Sequence, residues 1–373
     1  MLTGKGQIAP KSRQRGRKKW HDAESNVPSM GCSVCPEYKT CGGLFVAQPL
    51  FWCLDYCCGN ARDCDVVCRN HQSFVDRVRE IAGFDLSNVA RSKSCVAPNL
   101  PTVLPMYFHG SGRNSPSRAI SVVLPFARMF NQKTGKPKFN SRSELCEHFK
   151  ILPDASIVLS GTDVDRPIEN WWGLGRDKRA AVIRSLKDIG IDLITSPNFS
   201  LFTDQPRWDD LHSLKRIAIT HGEFLRGGLQ AALHINGRTE KDFERWTEYL
   251  AGRPEIEFVA YEFTTGPGWI GRRELHVDWL QKLSRGVRRP LHLIVRGGVE
   301  TLPSLEQAFA TVTFIDTAAF MRTIKRRRAV LTESGRLSWR ASPTGPNEPL
   351  DNLLRVCPET LGRIAEFSEH KTN

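Results

Sequence analysis

Residues 311–328 read T-V-T-F-I-D-T-A-A-F-M-R-T-I-K-R-R-R. A β-branched and aromatic run from Thr311 to Ile315 ends in a carboxylate, Asp316. A dense basic segment, Lys325, Arg326, Arg327 and Arg328, follows within a few residues. The run has the composition of a buried strand.

Working outward, similar apolar runs start at Thr102, Ile120, Ser156, Ile191, Leu229, Ile256 and Pro290. Between them lie stretches with apolar residues at helical spacing, such as D-K-R-A-A-V-I-R-S-L-K-D-I-G and T-E-K-D-F-E-R-W-T-E-Y-L. Apolar strands alternating with amphipathic helices imply a parallel sheet covered on both faces. About eight of them predict closure into a TIM-type (β/α)8 barrel of the α/β class. The alternative for the run from Ile120 is a hairpin excursion. The runner-up architecture, an open doubly wound sheet, lacks a G-x-G-x-x-G after an early strand.

The 373 residues divide by composition. Residues 1–30 carry Lys5, Lys11, Arg13, Arg15, Arg17, Lys18 and Lys19 without apolar periodicity, and read as a disordered basic arm. Residues 31–70 form a cysteine-rich module, 71–100 a linking helix and a Pro-rich connection, 101–330 the barrel, and 331–373 a C-terminal cap. The module holds Cys32, Cys35, Cys41, Cys53, Cys57, Cys58, Cys64 and Cys68. So short and loop-rich a segment gains folding free energy from metal ligation, so these thiolates are expected to bind metal. The spacing Cys32-x2-Cys35-x5-Cys41-Gly-Gly resembles the cluster-binding segment of auxiliary iron–sulfur domains, and eight thiolates equally suit two tetrahedral zinc sites. Isolated Cys95, Cys146 and Cys357 read as small core residues.

A net charge of +13 favours a polyanionic partner through counterion release, which points to nucleic acid. No apolar h-region follows the basic start, and no run approaches the roughly 18 apolar residues that span a bilayer. The chain is expected to be cytosolic, with reduced cysteines.

In such a barrel, residues at the carboxyl ends of strands carry the chemistry. Asp163 lies on the loop after the Ser156 run, Asn198 and Asp204 after the Ile191 run, and His234 and Asn236 after the Leu229 run. Glu262 ends the Ile256 run and Arg296, Gly297 and Gly298 the Pro290 run. Asp316 and Asp163 are the leading candidates, because two acids on one rim offer a nucleophile and an acid/base partner. The two glycines suit a phosphate site or a tight turn. Trp171 and Trp172 are candidates for stacking on an exposed base or for core packing. Lys325 to Arg328 suit phosphate contacts.

This order of residues resembles the tRNA-guanine transglycosylase superfamily, in particular its DNA-acting deazapurine branch, over roughly Ser156 to Leu353. S-G-T-D is similar to the segment that places an acid/base aspartate, here Asp163. S-P-N-F-S-L-F-T-D-Q-P is similar to the base-recognition segment, here Asp204. T-F-I-D followed by the basic stretch is similar to the nucleophile strand, here Asp316. His234 and Asn236 stand where the family has Gln-Gly-Gly, Glu262-Phe263 stands where it has Gly-Gly, and the family's C-terminal zinc site is absent. S-P-N-F-S-L-F also resembles an uncharacterised phage-associated domain family. The superfamily resemblance implies exchange of guanine in DNA or tRNA for a 7-deazaguanine base through a covalent aspartyl intermediate. The alternatives are a barrel enzyme of other chemistry that depends on a metal or iron–sulfur cluster, and a non-catalytic nucleic-acid-binding protein.

Overall fold

The computed structural model describes residues 77, 79–96, 98–201, 207–268, 272–331, 337–345 and 348–354. Each of the eight apolar runs forms a strand: β1 (Val103–Pro105), β2 (Ser121–Pro125), β3 (Ser156–Ser160), β4 (Leu193–Thr195), β5 (Ala231–His234), β6 (Phe258–Glu262), β7 (His292–Arg296) and β8 (Thr311–Asp316). All pairings are parallel, in the order β1-β8-β7-β6-β5-β4-β3-β2. The two ends of that order meet at a parallel bridge, Met106 to Val123, where the Tyr107 N–H donates to the Val123 carbonyl at 2.9 Å. The Ile120 run is therefore a barrel strand, not a hairpin excursion, and all five of its strand residues are buried.

Helices occupy the crossovers: α1 (Arg142–Phe149), α2 (Asp165–Gly173), α3 (Arg176–Asp188), α4 (Arg207–Arg226), α5 (Glu240–Ala251), α6 (Arg273–Val287), α7 (Leu302–Glu306) and α8 (Ala318–Thr323). Local sequence sets several boundaries. The Ser141 side chain accepts the Glu144 N–H at the start of α1. Thr239 and Asp242 form a reciprocal capping box at the start of α5, which satisfies donors the first turn leaves open.

Alternation along the strands divides the apolar residues into two layers. Leu104, Met106, Val123, Val158, Leu193, Ala232, Phe258, Ala260, Ile294 and Ile315 fill the barrel interior. Their neighbours, among them Val122, Ile157, Ile194, Leu233, Val259, Leu293 and Val312, face outward and pack with the helices in a second, larger cluster. Buried aliphatic side chains contribute about 1.5–3 kcal/mol each, so this two-sided burial is the main stabilising term.

Before β1, helical residues 79 and 80 give way to a turn at Ala82 (φ 56°) and Gly83 (φ 86°), which ends the linking helix where the sequence places its stop. The chain then crosses the outer helices, its carbonyls accepting from Lys215 at Asp85, Arg245 at Phe84 and Arg253 at Val89. After β8, part of the basic stretch and the start of the C-terminal cap form an antiparallel hairpin, β9 (Arg327–Leu331) with β10 (Leu337–Ala341). R-A-V-L and L-S-W-R-A alternate in the two-residue manner of a strand pair, and Ala329 and Trp339 pack on Ala319 of α8. Among the described residues no helix is long and apolar enough to cross a membrane.

One buried histidine makes the fold sensitive to acid. His221 of α4 is fully enclosed and bonds through Nε2 to the Ala231 carbonyl at 3.2 Å, so burial pulls its imidazole down to about 4. In the unfolded chain it titrates near 6.5. The folded state excludes the proton, so stability falls as pH drops from about 6.5 through about 4 and levels off below. The expected loss at this site is about 3 kcal/mol between pH 7 and pH 4. Urea unfolding at both pH values checks it: His221→Gln, which keeps a donor for Ala231, should lose about that much less than the parent.

Candidate functional site

Two residues beyond the apolar interior, the inward positions turn polar. Ser160 of β3, Thr195 of β4, His234 of β5, Glu262 of β6 and Arg296 of β7 hold this level on five consecutive strands. All five lie at the C-terminal ends of their strands, the end where barrels of this type carry their chemistry. Strand register sets Glu262 beside Arg296, and the Arg296 Nε stands 3.6 Å from Glu262 Oε2.

Glu262 is 5% exposed. Its Oε1 accepts the Thr264 N–H at 2.9 Å and the Thr264 hydroxyl, while Oε2 receives no hydrogen bond among the described residues. Burial raises the carboxyl above the usual range, against the opposing charge of Arg296 and the two Thr264 bonds. His234 is buried beside it, and burial together with the Arg296 charge holds its imidazole down to about 3. The ring is therefore neutral at neutral pH, and its Nδ1 is another buried polar atom with no hydrogen-bond partner among the described residues. Arg296 also reaches across the mouth, its Nη1 donating to the Thr162 carbonyl at 3.2 Å.

These side chains border a cavity of about 140 Å³ whose lining includes Asn198, His234, Asn236, Glu262, Arg272 and His276. A cavity of about that volume takes a group the size of one aromatic ring. Asn236 donates through Nδ2 to Asn198 Oδ1 at 2.8 Å and to the Phe199 carbonyl at 3.1 Å, tying the loops after β4 and β5 together. The complementary amide groups, the Asn198 NH2 and the Asn236 carbonyl, are the ones left to meet a ligand. On the far wall the Tyr261 hydroxyl meets His276 Nδ1 at 2.5 Å. Chemically, the arrangement offers a buried acid that can hold a proton, a fixed cation beside it and amides able to read the edge of a planar ring.

The residues singled out in the sequence divide accordingly. Asn198, His234, Asn236, Glu262 and Arg296 gather at the mouth, the first four on the cavity wall. Asp163 sits exposed on the same rim, one residue beyond Arg296's contact, with its Oδ1 accepting the Val164 N–H at 2.8 Å. Asp316 is placed differently. It is 3% exposed and its Oδ1 accepts the Ala318 N–H at 2.8 Å and the Ala319 N–H at 3.3 Å, so its carboxylate caps α8 and does not border the cavity. The cause is strand alternation: Ile315 points into the barrel, so Asp316 points out.

Trp171 is no base-stacking surface. It is 1% exposed and packs with Phe126, Phe130 and Phe224, parallel to the last at 5.7 Å. Trp172 lies against the Arg179 guanidinium, 4.6 Å from its ring centre. Gly297 (φ 76°) and Gly298 (φ 66°) make a tight left-handed turn that closes on Phe263 and Thr264 of its own chain, which favours the turn over the phosphate site. Lys325, Arg327 and Arg328 are exposed on the turn and hairpin after α8, and Arg326 donates to the Glu348 carbonyl at 3.1 Å. Asp204 and the cysteines Cys32, Cys35, Cys41, Cys53, Cys57, Cys58, Cys64 and Cys68 lie outside the described residues, as does Cys357. Cys95 and Cys146 are free thiols, and among the described residues no group of three or more His, Cys, Asp or Glu could hold a metal ion. Sequence reading missed Arg272 and His276; both sit on or next to the amphipathic helix α6, where nothing in the pattern separates them from ordinary surface and core positions.

No family model and no curated protein matches the chain. A solved structure from Burkholderia cenocepacia J2315, described as a "putative lyase/mutase", is similar at 14% identity and a TM-score of 0.34, over 67% of this chain and 88% of that one.

The turn after β7 bears directly on Glu262. A Cβ on Gly297 would stand 2.6 Å from the Thr264 methyl and 2.9 Å from the Thr264 nitrogen, on top of a positive φ. Gly297→Ala is expected to cost about 1–3 kcal/mol in urea unfolding and to disturb the residue that holds the acid.

Proposed function

We propose that this chain is an α/β-barrel enzyme whose chemistry is acid–base catalysis by Glu262 at the barrel mouth, acting on a nucleic-acid base. The supporting observation is the buried Glu262 carboxyl, oriented by Thr264 through one oxygen and presenting the other, unbonded, beside a cavity whose wall carries the Asn198 and Asn236 amides. The reaction is the one the sequence resemblance implies, exchange of guanine for a 7-deazaguanine base, with a different division of labour among the acids. Asp163 on the rim attacks C1′ of the nucleotide, the C1′–N9 bond breaks, and the departing guanine takes its proton from Glu262. The incoming base returns a proton to Glu262 and attacks C1′, which releases Asp163. A carboxylate that traps an oxocarbenium-like centre divides one hard displacement into two. A carboxyl raised by burial is suited to the proton transfer, since its working range lies closer to neutral pH. The eight N-terminal cysteines are read as a zinc or iron–sulfur module that helps hold the nucleic acid, with DNA favoured over tRNA.

Incorporation of labelled guanine into DNA or tRNA tests this without knowledge of the natural base. Glu262→Gln and Asp163→Asn should each lower the rate by about 100-fold or more, and Asp316→Asn should leave it within a few fold. The reverse pattern would return the nucleophile role to Asp316.

A second measurement addresses the electrostatics. Arg296 opposes the rise of the Glu262 carboxyl, so Arg296→Leu removes a lowering influence and raises it further. The pH at which that carboxyl titrates in the rate profile should therefore move upward. A profile that stayed in place would separate Glu262 from the rate.

A further inference from the structure

Beyond the cavity, the loop after β2 and the segment after β3 that begins α2 form an open groove of about 510 Å³ bordered by Asn131, Gln132, Lys133, Lys138, Arg166 and Asn170. Because all eight strands are parallel, these loops emerge at the same end of the barrel as the loops that line the cavity. The two places are also joined through the chain, since Arg296 holds the Thr162 carbonyl and Arg166 lies four residues on. Four residues span at most about 14 Å.

The groove wall is rigid and positively charged. Phe126 and Phe130 anchor the β2 loop in the Trp171 cluster, the loop folds back at the bridge between Phe130 and Pro137, and Asn170 Nδ2 donates to Gln132 Oε1 at 3.2 Å. Lys133, Lys138 and Arg166 are exposed, with Arg128 and Lys136 exposed on the same loop, and among the described residues none of the five forms an ion pair. Nearby acids are engaged elsewhere: Glu169 pairs with Arg216 at 2.6 Å and Asp165 accepts the Ser200 hydroxyl. Exposed cations without ion pairs beside an open channel suit a chain of phosphates, whereas a single small anion would need converging donors.

We propose that this groove is a track for the sugar–phosphate backbone of single-stranded nucleic acid, leading the strand to the mouth so that one base enters the cavity. The proposal deepens the reading of the cavity given above. It concerns binding, however, and stands or falls separately from the exchange reaction.

The test is anisotropy of a labelled single-stranded oligonucleotide with the full-length protein, titrated across a range of KCl concentrations. Lys133→Glu, Lys138→Glu and Arg166→Glu together should weaken binding about tenfold or more near 0.1 M salt. At roughly 0.7 per phosphate contact, the slope of log affinity against log salt should become shallower by about 2. The corresponding glutamine triple variant should show the same change at smaller size. A control triple on the opposite end of the barrel, Arg184→Glu, Lys187→Glu and Arg285→Glu, should bind close to the parent. Parent-like affinity and slope in the groove variant, or an equal loss in the control, would overturn the track. Equal loss of binding to anionic vesicles would assign the cations to a lipid surface and overturn it as well. If the groove variant loses binding while no substrate shows exchange, the track stands and the reaction falls. If exchange persists on a dinucleotide while the groove variant binds normally, the reverse holds.

Discussion

A β-strand turns successive side chains to opposite faces, and a closed ring of parallel strands applies that rule eight times at one level. Every other property of this molecule follows from which residues fall on the inner count. Leu104, Val158, Leu193, Ala232, Ala260 and Ile294 fill the interior, and the next inward step brings Ser160, Thr195, His234, Glu262 and Arg296 to the rim. A shift by one residue sends a side chain to the helix layer, which is the fate of Asp316.

The same count explains what the sequence made legible. The eight strands and the helices between them stand out because runs such as S-I-V-L-S and F-V-A-Y-E are buried on both faces and read as apolar throughout. That uniformity also hides the inner parity, so Asp316 and Glu262, each the last residue of its run, look alike in the sequence and end on opposite sides of the wall. Trp171 was ambiguous for a related reason: a tryptophan just past a catalytic-looking loop reads as a stacking platform or as packing, and only Phe126, Phe130 and Phe224, brought from distant segments, decide between them. His276 and Arg272 reach the cavity from the first turn of α6 and the residue before it, a tertiary relation with no local pattern. The hairpin after α8 was obscured by its basic residues, which mask a two-residue alternation.

Electrostatics at the rim depend on burial more than on the number of charges. Glu262 and Arg296 stand 3.6 Å apart and so form a loose pair, and desolvation still dominates the carboxyl. Thr264 supplies both hydrogen bonds to one oxygen, which fixes the plane of the group and directs the other oxygen. His234 contributes shape and a neutral nitrogen, because burial, with the Arg296 charge added to it, keeps a second positive charge from forming.

The ring is completed by a three-residue strand, β1, whose contact with β2 is one bridge between Met106 and Val123, whereas β6 and β7 are paired over five residues. The β1–β2 seam is thus the one with the fewest paired residues, one against two at β3–β4, β4–β5 and β5–β6. Breathing there would move β2 and its attached loop while β6 and β7 kept their spacing, so the outer groove could change shape without spoiling the Glu262–Arg296 geometry of the chamber.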